Sequence, residues 1–403
     1  MKKRFMFVVQ GEGRGHLTQA ITLSEMLRGA GHEVSAVLVG RSDRREVPSF
    51  FYDRIHSPVV CFESPNFVFD AKRKSVNITA TLTYNFRRYR IFLASLRHVH
   101  QLVEEHRPDV IVNFYDLLGG LYYLLYKPNV PFVCLGHQYL LQHPDFRFPK
   151  RSWLSQLVLS TNTRVTAFGA DKKLALSFRA MADVTRLHLV VAPPLLRREV
   201  LAFAGPSSPN AETQPYLLAY LNHNGFSEEV IAWHAKHPEV RIHCFWDKKD
   251  AAPEVKFHEN LTFHRINDQK FLELMHGCTG YICNAGFESV CEAMHLGKPV
   301  MMIPVHGHFE QACNALDARQ AHAGIVADRF DFSRFIDYIP RHENQRETFG
   351  QWLAQAPDVF LRELESVCLP PLSAGGDDTA QKVYKWVFRY TGSLLKRLAM
   401  GVN

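Results

Sequence analysis

The stretch 281–315, YICNAGFESVCEAMHLGKPVMMIPVHGHFEQACNA, constrains the fold more than any other, because it reads in order as strand, glycine turn, helix, strand and polar loop. Residues 281–283 form a short apolar strand. Asn284-Ala285-Gly286 then makes a tight turn that sets a helix N-terminus, with its unpaired N–H groups, beside a bound anion. A diphosphate fits such a turn. The helix over 287–296 carries Glu292 about one and a half turns in, where a carboxylate can accept hydrogen bonds from both hydroxyls of a ribose. Gly297 stops that helix, and Lys298-Pro299 leads into a buried strand over 300–303. The loop beyond Pro304 brings His306, His308, Glu310 and Gln311 to the strand's carboxyl end, where open α/β sheets bind ligands.

Strand and helix signals alternate through the rest of the chain, which favours parallel sheets covered by helices on both faces. In the first half, strands are expected over 4–9, 34–39, 110–114 and 131–135, with helices over 17–28, 92–106 and 117–125. Asp116 follows the strand at 110–114, and Gly136-His137-Gln138 follows the one at 131–135. In the second half, a strand over 216–221 ends in Asn222-His223-Asn224-Gly225, a second spans 240–245, and residues 261–264 read as a short edge strand. Gly205-Pro206-Ser207-Ser208-Pro209-Asn210 is rich in turn formers and poor in apolar residues, so a hinge is expected at 205–215. This divides the chain into domains over 1–204 and 216–372, with a further helix over 379–403.

A second glycine-rich turn, GEGRGH over 11–16, follows the first strand at once. Such a turn also opens dinucleotide-binding domains. Here the spacing of Gly11, Gly13 and Gly15 is GxGxG rather than GxGxxG, and the second strand ends in Gly40-Arg41 where an acid is wanted. A nicotinamide cofactor is therefore not expected, nor any other cofactor. His16 closes the turn at a helix N-terminus, which lowers its tendency to protonate and leaves a neutral imidazole able to act as a base.

Gly286, Ser289, Glu292, Gly297, Pro299, Glu310 and Gln311 together resemble the donor-binding signature of GT-B glycosyltransferases, family 28 in particular. The resemblance implies an α/β architecture of two Rossmann-like domains facing across a cleft, with a C-terminal helix crossing back to the first. It implies that Glu292 binds the donor's ribose and that Glu310 and Gln311 bind its sugar. The donor set extends to Gly13, Gly15, Asn222, Asn284, Ala285, Phe287 and His306. The glycine turn closing on His16 also matches the family, and His16 or Asp116 would take the acceptor's proton. Two positions depart from the pattern: Asn284 stands where plant enzymes often carry His, and Glu310 where Asp or Gln is usual, which leaves the donor sugar open. Blocks at 260–263, 284–304 and 193–200 (PPLLRREV) further resemble family 28-like proteins of bacteria and archaea. Each residue also has a plainer structural use: His16 and Asp116 as caps, Glu292 as a helix acid, Gln311 as a helix-start residue.

Composition admits an enzyme of this kind. At 403 residues, 46% hydrophobic and 22% charged, the chain can bury two cores. Its eight cysteines are scattered without CxxC pairs and read as reduced core residues. No secretory signal precedes the first strand and no run of eighteen apolar residues occurs, so a cytoplasmic protein is expected. Basic residues cluster at Lys72, Arg73, Lys74 and at Arg87, Arg88, Arg90, with Tyr84, Phe86, Tyr89 and Phe92 interleaved. No nucleic-acid fold accompanies them; a solvated helix face is the plain reading, and the family resemblance implies contact with a membrane surface. The helix over 379–400 is amphipathic and basic, suited to packing along its first turns and to lipid at its end. His306, His308 and Glu310 alternate like metal ligands, yet no second ligand cluster has the spacing and no DxD motif ends a strand, so no metal is expected.

The expected partners are a nucleotide-sugar donor, expected to be UDP-linked, and a hydroxyl acceptor that the resemblance extends to lipid-linked glycans. Transfer would be inverting. A UDP-sugar epimerase of the same fold and a non-catalytic sugar-nucleotide binding protein are the alternatives.

Overall fold

The structure, a computed structural model, describes residues 1–41, 47–65, 78–150, 153–203, 214–248 and 250–368. Seven strands form the first sheet: β1 (Arg4–Gln10), β2 (Glu33–Arg41), β3 (Val59–Glu63), β4 (Val110–Phe114), β5 (Phe132–Gly136), β6 (Lys172–Leu176) and β7 (Leu189–Ala192). Their spatial order is β3-β2-β1-β4-β5-β6-β7, all parallel. Val110–Phe114 is buried at every position, as expected of a strand covered by helices on both faces. Phe7 at the centre of β1 pairs with Val37 on one side and Val112 on the other.

The second sheet repeats the plan with β8 (Leu217–Tyr220), β9 (Ile242–Trp246), β10 (Glu254–His258), β11 (Leu261–Arg265), β12 (Gly280–Cys283), β13 (Val300–Met302) and β14 (Gly324–Val326), in the order β10-β11-β9-β8-β12-β13-β14. All neighbours are parallel except β10, which runs antiparallel beside β11. Strand order therefore reverses between β1 and β4 in one sheet and between β8 and β12 in the other. Ligands of doubly wound sheets sit at such reversals, outside the carboxyl ends of the strands.

Two expectations are corrected here. Residues 261–264 are not an edge strand, because β10 covers them; Glu254–His258 is exposed along nearly all its length and lacks the apolar alternation that announces a strand. The turn after β1 is shorter than GEGRGH, since the helix Arg14–Gly29 already begins at Arg14 and carries His16 in its first turn. A return to the first domain is made by Ala356–Ser366, within the stretch 216–372. Its Phe360 and Leu364 are buried in a cluster that holds Phe5, Phe7 and Leu27, while Lys172 bonds Glu363, and His32 Nε2 lies 3.0 Å from Glu365 Oε1. The segment 379–403, most of the hinge, and Lys72, Arg73 and Lys74 lie outside the described residues.

Among the described residues no helix is long and apolar enough to cross a membrane. The described residues also contain no group of three or more His, Cys, Asp or Glu side chains arranged to hold a metal ion.

Candidate active site

Two helix N-termini, one from each sheet, meet where the strand orders reverse. The helix Arg14–Gly29 starts from the loop after β1, and Phe287–His295 starts from the loop after β12. Their approach is close enough that a Cβ on Gly15 would stand 2.9 Å from Glu288 Cγ, so only glycine fits at 15 without moving Glu288. Gln19, one turn further along the first helix, donates from Nε2 to Glu288 Oε1. Arg14 Nη1 reaches Asp268 Oδ1 at 3.0 Å.

His16 is 8% exposed, with Nδ1 3.3 Å from Gln19 Oε1 and its ring stacked over Tyr115 at 6.1 Å. Burial lowers its pKa, against the charge of Glu310 and the bond to Gln19, so the neutral imidazole is favoured. Tyr115 is left-handed at φ 60°, and Ala285, at the matching place after β12, is left-handed at φ 56°. Non-glycine residues adopt that conformation at a cost, and both instances fall at the reversal points of the two sheets.

Asp116 makes no hydrogen bond to His16. It is fully enclosed, and Oδ1 accepts from Leu118 N at 2.8 Å and from Ser64 Oγ at 3.1 Å, capping the helix Leu117–Tyr126. Its Oδ2 is buried without a hydrogen-bond partner. Burial outweighs the donated bonds and pushes the carboxyl up to about 7. The structural use of this residue, an N-cap, is thus the one the geometry displays.

The donor-set residues fall into three groups. Gly286 is exposed, is the N-cap of Phe287–His295 with no side-chain cap, and has open space at its Cα apart from Ser289; Ser289 Oγ bonds back to Gly286 O at 3.4 Å. Gly13 is the corresponding N-cap of the first helix. A second group braces the site. Asn284 is 1% exposed; its Oδ1 accepts from Asn222 N at 3.0 Å and its Nδ2 donates to Ile303 O at 2.9 Å, tying the ends of β8, β12 and β13. Gln311 Oε1 accepts from Val305 N at 2.8 Å and so holds the loop after β13.

The third group touches the first domain. Phe287 is 8% exposed and stacks on His137 at 4.1 Å. Glu310 Oε1 accepts from Gln138 Nε2 at 2.9 Å. Glu292 is 3% exposed and paired with Arg197 through both oxygens, Nε to Oε1 at 2.6 Å and Nη2 to Oε2 at 2.8 Å. His306 is exposed and His308 caps the helix Phe309–Gln320, so the alternating HxHxE residues point to different tasks.

Sequence reasoning did not single out Arg197, Gln19 or Glu288. Arg197 lies in the PPLLRREV block, Gln19 is three residues beyond His16, and Glu288 is one turn before Glu292; each had a positional signal but no motif. Glu288 lies between the domains, and burial pushes its carboxyl up to about 8, with Glu292 adding to the shift and the Gln19 bond and Arg197 opposing it. Below the site, Arg179 Nη1 meets Asp317 Oδ1 at 2.7 Å and holds the two domains together.

A family model described as glycosyl transferase family 1 matches residues 3–341. An uncharacterised glycosyltransferase of Methanosarcina mazei is 23% identical over 329 residues, covering 77% of this chain and 82% of the relative. Among solved structures, the kitacinnamycin glycotransferase is 17% identical with a TM-score of 0.60, covering 92% of this chain and all of its own. The calicheamicin glycosyltransferase CalG4 is 16% identical, with a TM-score of 0.59 and coverage of 93% and 100%. The spinosyn rhamnosyltransferase SpnG complexed with thymidine diphosphate is 16% identical, with a TM-score of 0.56 and coverage of 90% and 100%. These likenesses lie with GT-B glycosyltransferases at large and do not single out family 28.

Proposed function

The chain belongs to glycosyl transferase family 1, and from that premise we propose that it moves a hexosyl group from a nucleoside diphosphate sugar, UDP-linked, to a hydroxyl of its acceptor, with inversion and without a metal. It is a glycosyltransferase of GT-B fold. The observation that supports the finer reading is the meeting of the two helix N-termini at Gly15 and Glu288: in this reading the turn at Gly286 holds the diphosphate, and His16 follows Gly15 directly. Donor phosphates would lie against the Phe287–His295 helix, whose partial positive charge stabilises the leaving diphosphate. Glu292 keeps a second lone pair on each oxygen beyond those turned to Arg197, and these can accept from ribose hydroxyls. Glu310 and His306 face the donor sugar in this reading, with Gln311 and Asn284 shaping the loops around it. His16 takes the acceptor's proton, since Asp116 is enclosed.

Support for a lipid-linked acceptor comes from the first domain's surface. Trp153, Leu154, Leu157 and Val158 are exposed along one helix, and Phe86 and Tyr89 are exposed beside the exposed Arg87 and Arg90. Arg88 instead pairs with Glu63 at 2.8 Å. Exposed aromatic and basic groups together suit the anionic inner face of a cytoplasmic membrane.

Melting of the purified protein against a panel of nucleoside diphosphates and their sugars tests the reading, because a ligand that binds only the folded state raises Tm. One nucleotide is expected to raise it, and Glu292→Gln to blunt the rise. A flat panel would count against a nucleotide-sugar donor.

A further inference from the structure

We propose that Gln19 and Glu288 are positioning residues that fix, across the domain interface, which nitrogen of His16 carries the proton. The proposal rests on the reading of His16 as the base. Its geometry is a chain of two hydrogen bonds: His16 Nδ1 to Gln19 Oε1 at 3.3 Å, then Gln19 Nε2 to Glu288 Oε1.

A side-chain amide has a donor end and an acceptor end, whereas an ionised carboxylate only accepts. Facing Glu288, Gln19 must present Nε2. Its Oε1 is then turned to His16, which can approach that oxygen only with a proton on Nδ1. The proton is thereby kept off Nε2, whose lone pair is left to act as the base. Asp116, the other expected base, turns Oδ1 to Leu118 N and Ser64 Oγ and leaves Oδ2 without a hydrogen-bond partner. The arrangement needs both domains, since His16 and Gln19 belong to the first and Glu288 to the second. Glu288 is also two residues beyond Gly286, so the helix proposed to hold the donor's phosphates is the same one that sets the base.

Protonation of Glu288 removes the constraint and permits the reverse chain. A neutral carboxyl can donate its O–H to Gln19 Oε1; the amide then offers Nε2 to His16 Nδ1, and the neutral imidazole carries its proton on Nε2 instead. The charged groups acting on Glu288 are Glu292 on its own helix and Arg197 from the first domain, with Gln19 opposite. Those acting on His16 are Glu310 and Gln19, with Tyr115 stacked on the ring.

The experiment is nitrogen NMR of the full chain carrying 15N-histidine, with His16 assigned by difference from His16→Gln, recorded at a pH above the Glu288 titration. The wild-type protein is expected to hold His16 as the Nδ1–H tautomer, and Gln19→Leu and Glu288→Leu each to lose that preference while melting cooperatively. An Nε2–H tautomer in the wild type overturns the proposal, and that measurement needs only the assignment variant. Retention of Nδ1–H in Gln19→Leu also overturns it, and loss in Gln19→Leu with retention in Glu288→Leu overturns the interdomain part. No substrate enters the measurement. A tautomer that behaves as expected beside a flat nucleotide panel would therefore reject the donor reading alone, and the converse result would reject this one alone.

Discussion

Arg197 holds Glu292 in a two-pronged ion pair between the domains, with both carboxylate oxygens within 2.8 Å of a guanidinium nitrogen and the two side chains 10% and 3% exposed. A planar guanidinium matches a carboxylate in this way where an ammonium cannot. The carboxylate proposed to bind ribose is therefore oriented by the first domain, although it sits on a helix of the second. Burial works against the charge on Arg197, and the attraction of Glu292 outweighs it, keeping the guanidinium firmly protonated.

Removing one partner of this pair leaves a buried charge alone. Arg197→Ala is expected to lower the unfolding free energy by about 3–5 kcal/mol, and Arg197→Lys by less, since it retains charge without the fork. Urea denaturation measures both. A loss below about 1 kcal/mol in Arg197→Ala would mean that the pair behaves like an exposed one.

Asp116 predicts a pH dependence of stability. Its carboxyl is pushed up from 3.8 to about 7 in the folded protein, so the native state holds a proton that the unfolded chain has already released between those values. Stability from this group is full below about pH 4 and falls as pH rises toward 7, by a total on the order of 1–4 kcal/mol. Asp116→Asn keeps an oxygen for the Leu118 cap and cannot ionise. Its stability relative to the wild type should climb from pH 5 to pH 8, measured by denaturation at both; a constant difference would contradict the raised value.

Much of this architecture is legible in the sequence because buried parallel strands announce themselves. Residues 110–114 and 281–283 are apolar runs bounded by turn formers, and both are strands in the structure. The exposed hairpin strand at 254–258 has no such signature, since an edge strand is held by its neighbour's backbone and needs no apolar side chains. The site divides in the same way. Gly286 and Glu292 stand at fixed offsets within one supersecondary unit, which a linear pattern can reveal. The partners Arg197 and Glu292 are 95 residues apart, and Gln19 and Glu288 are 269 apart; only the docking of two domains joins them.

Gly40 marks a close approach between β2 and the Asp116 carboxyl, because a Cβ there would fall 2.0 Å from Asp116 Oδ2. Gly40→Ala should destabilise the protein by about 1–3 kcal/mol through this clash. In an Asp116→Ala background the obstructing oxygen is gone, so the same substitution should cost clearly less. A double-mutant cycle by denaturation measures the difference, and additive costs would show that the carboxyl is not what excludes a side chain at 40.

The acidic limb of the pH–rate profile should belong to Glu288 rather than to His16. Burial lowers the His16 pKa below its ordinary 6.5, so the imidazole is already neutral through the physiological range. Glu288, by contrast, is pushed up to about 8, and in its protonated form it can donate as well as accept, so Gln19 is no longer held with Oε1 toward His16. The rate should therefore rise as pH increases toward about 8, where Glu288 ionises and the proton of His16 settles on Nδ1. Glu288→Gln removes that titration, and the limb should either disappear or shift to the lower pH at which His16 itself protonates. The profile of kcat against pH, taken with the donor identified by melting, measures this. An acidic limb unmoved by Glu288→Gln would return the control of the base to His16 alone, leaving Gln19 and Glu288 as interface contacts only.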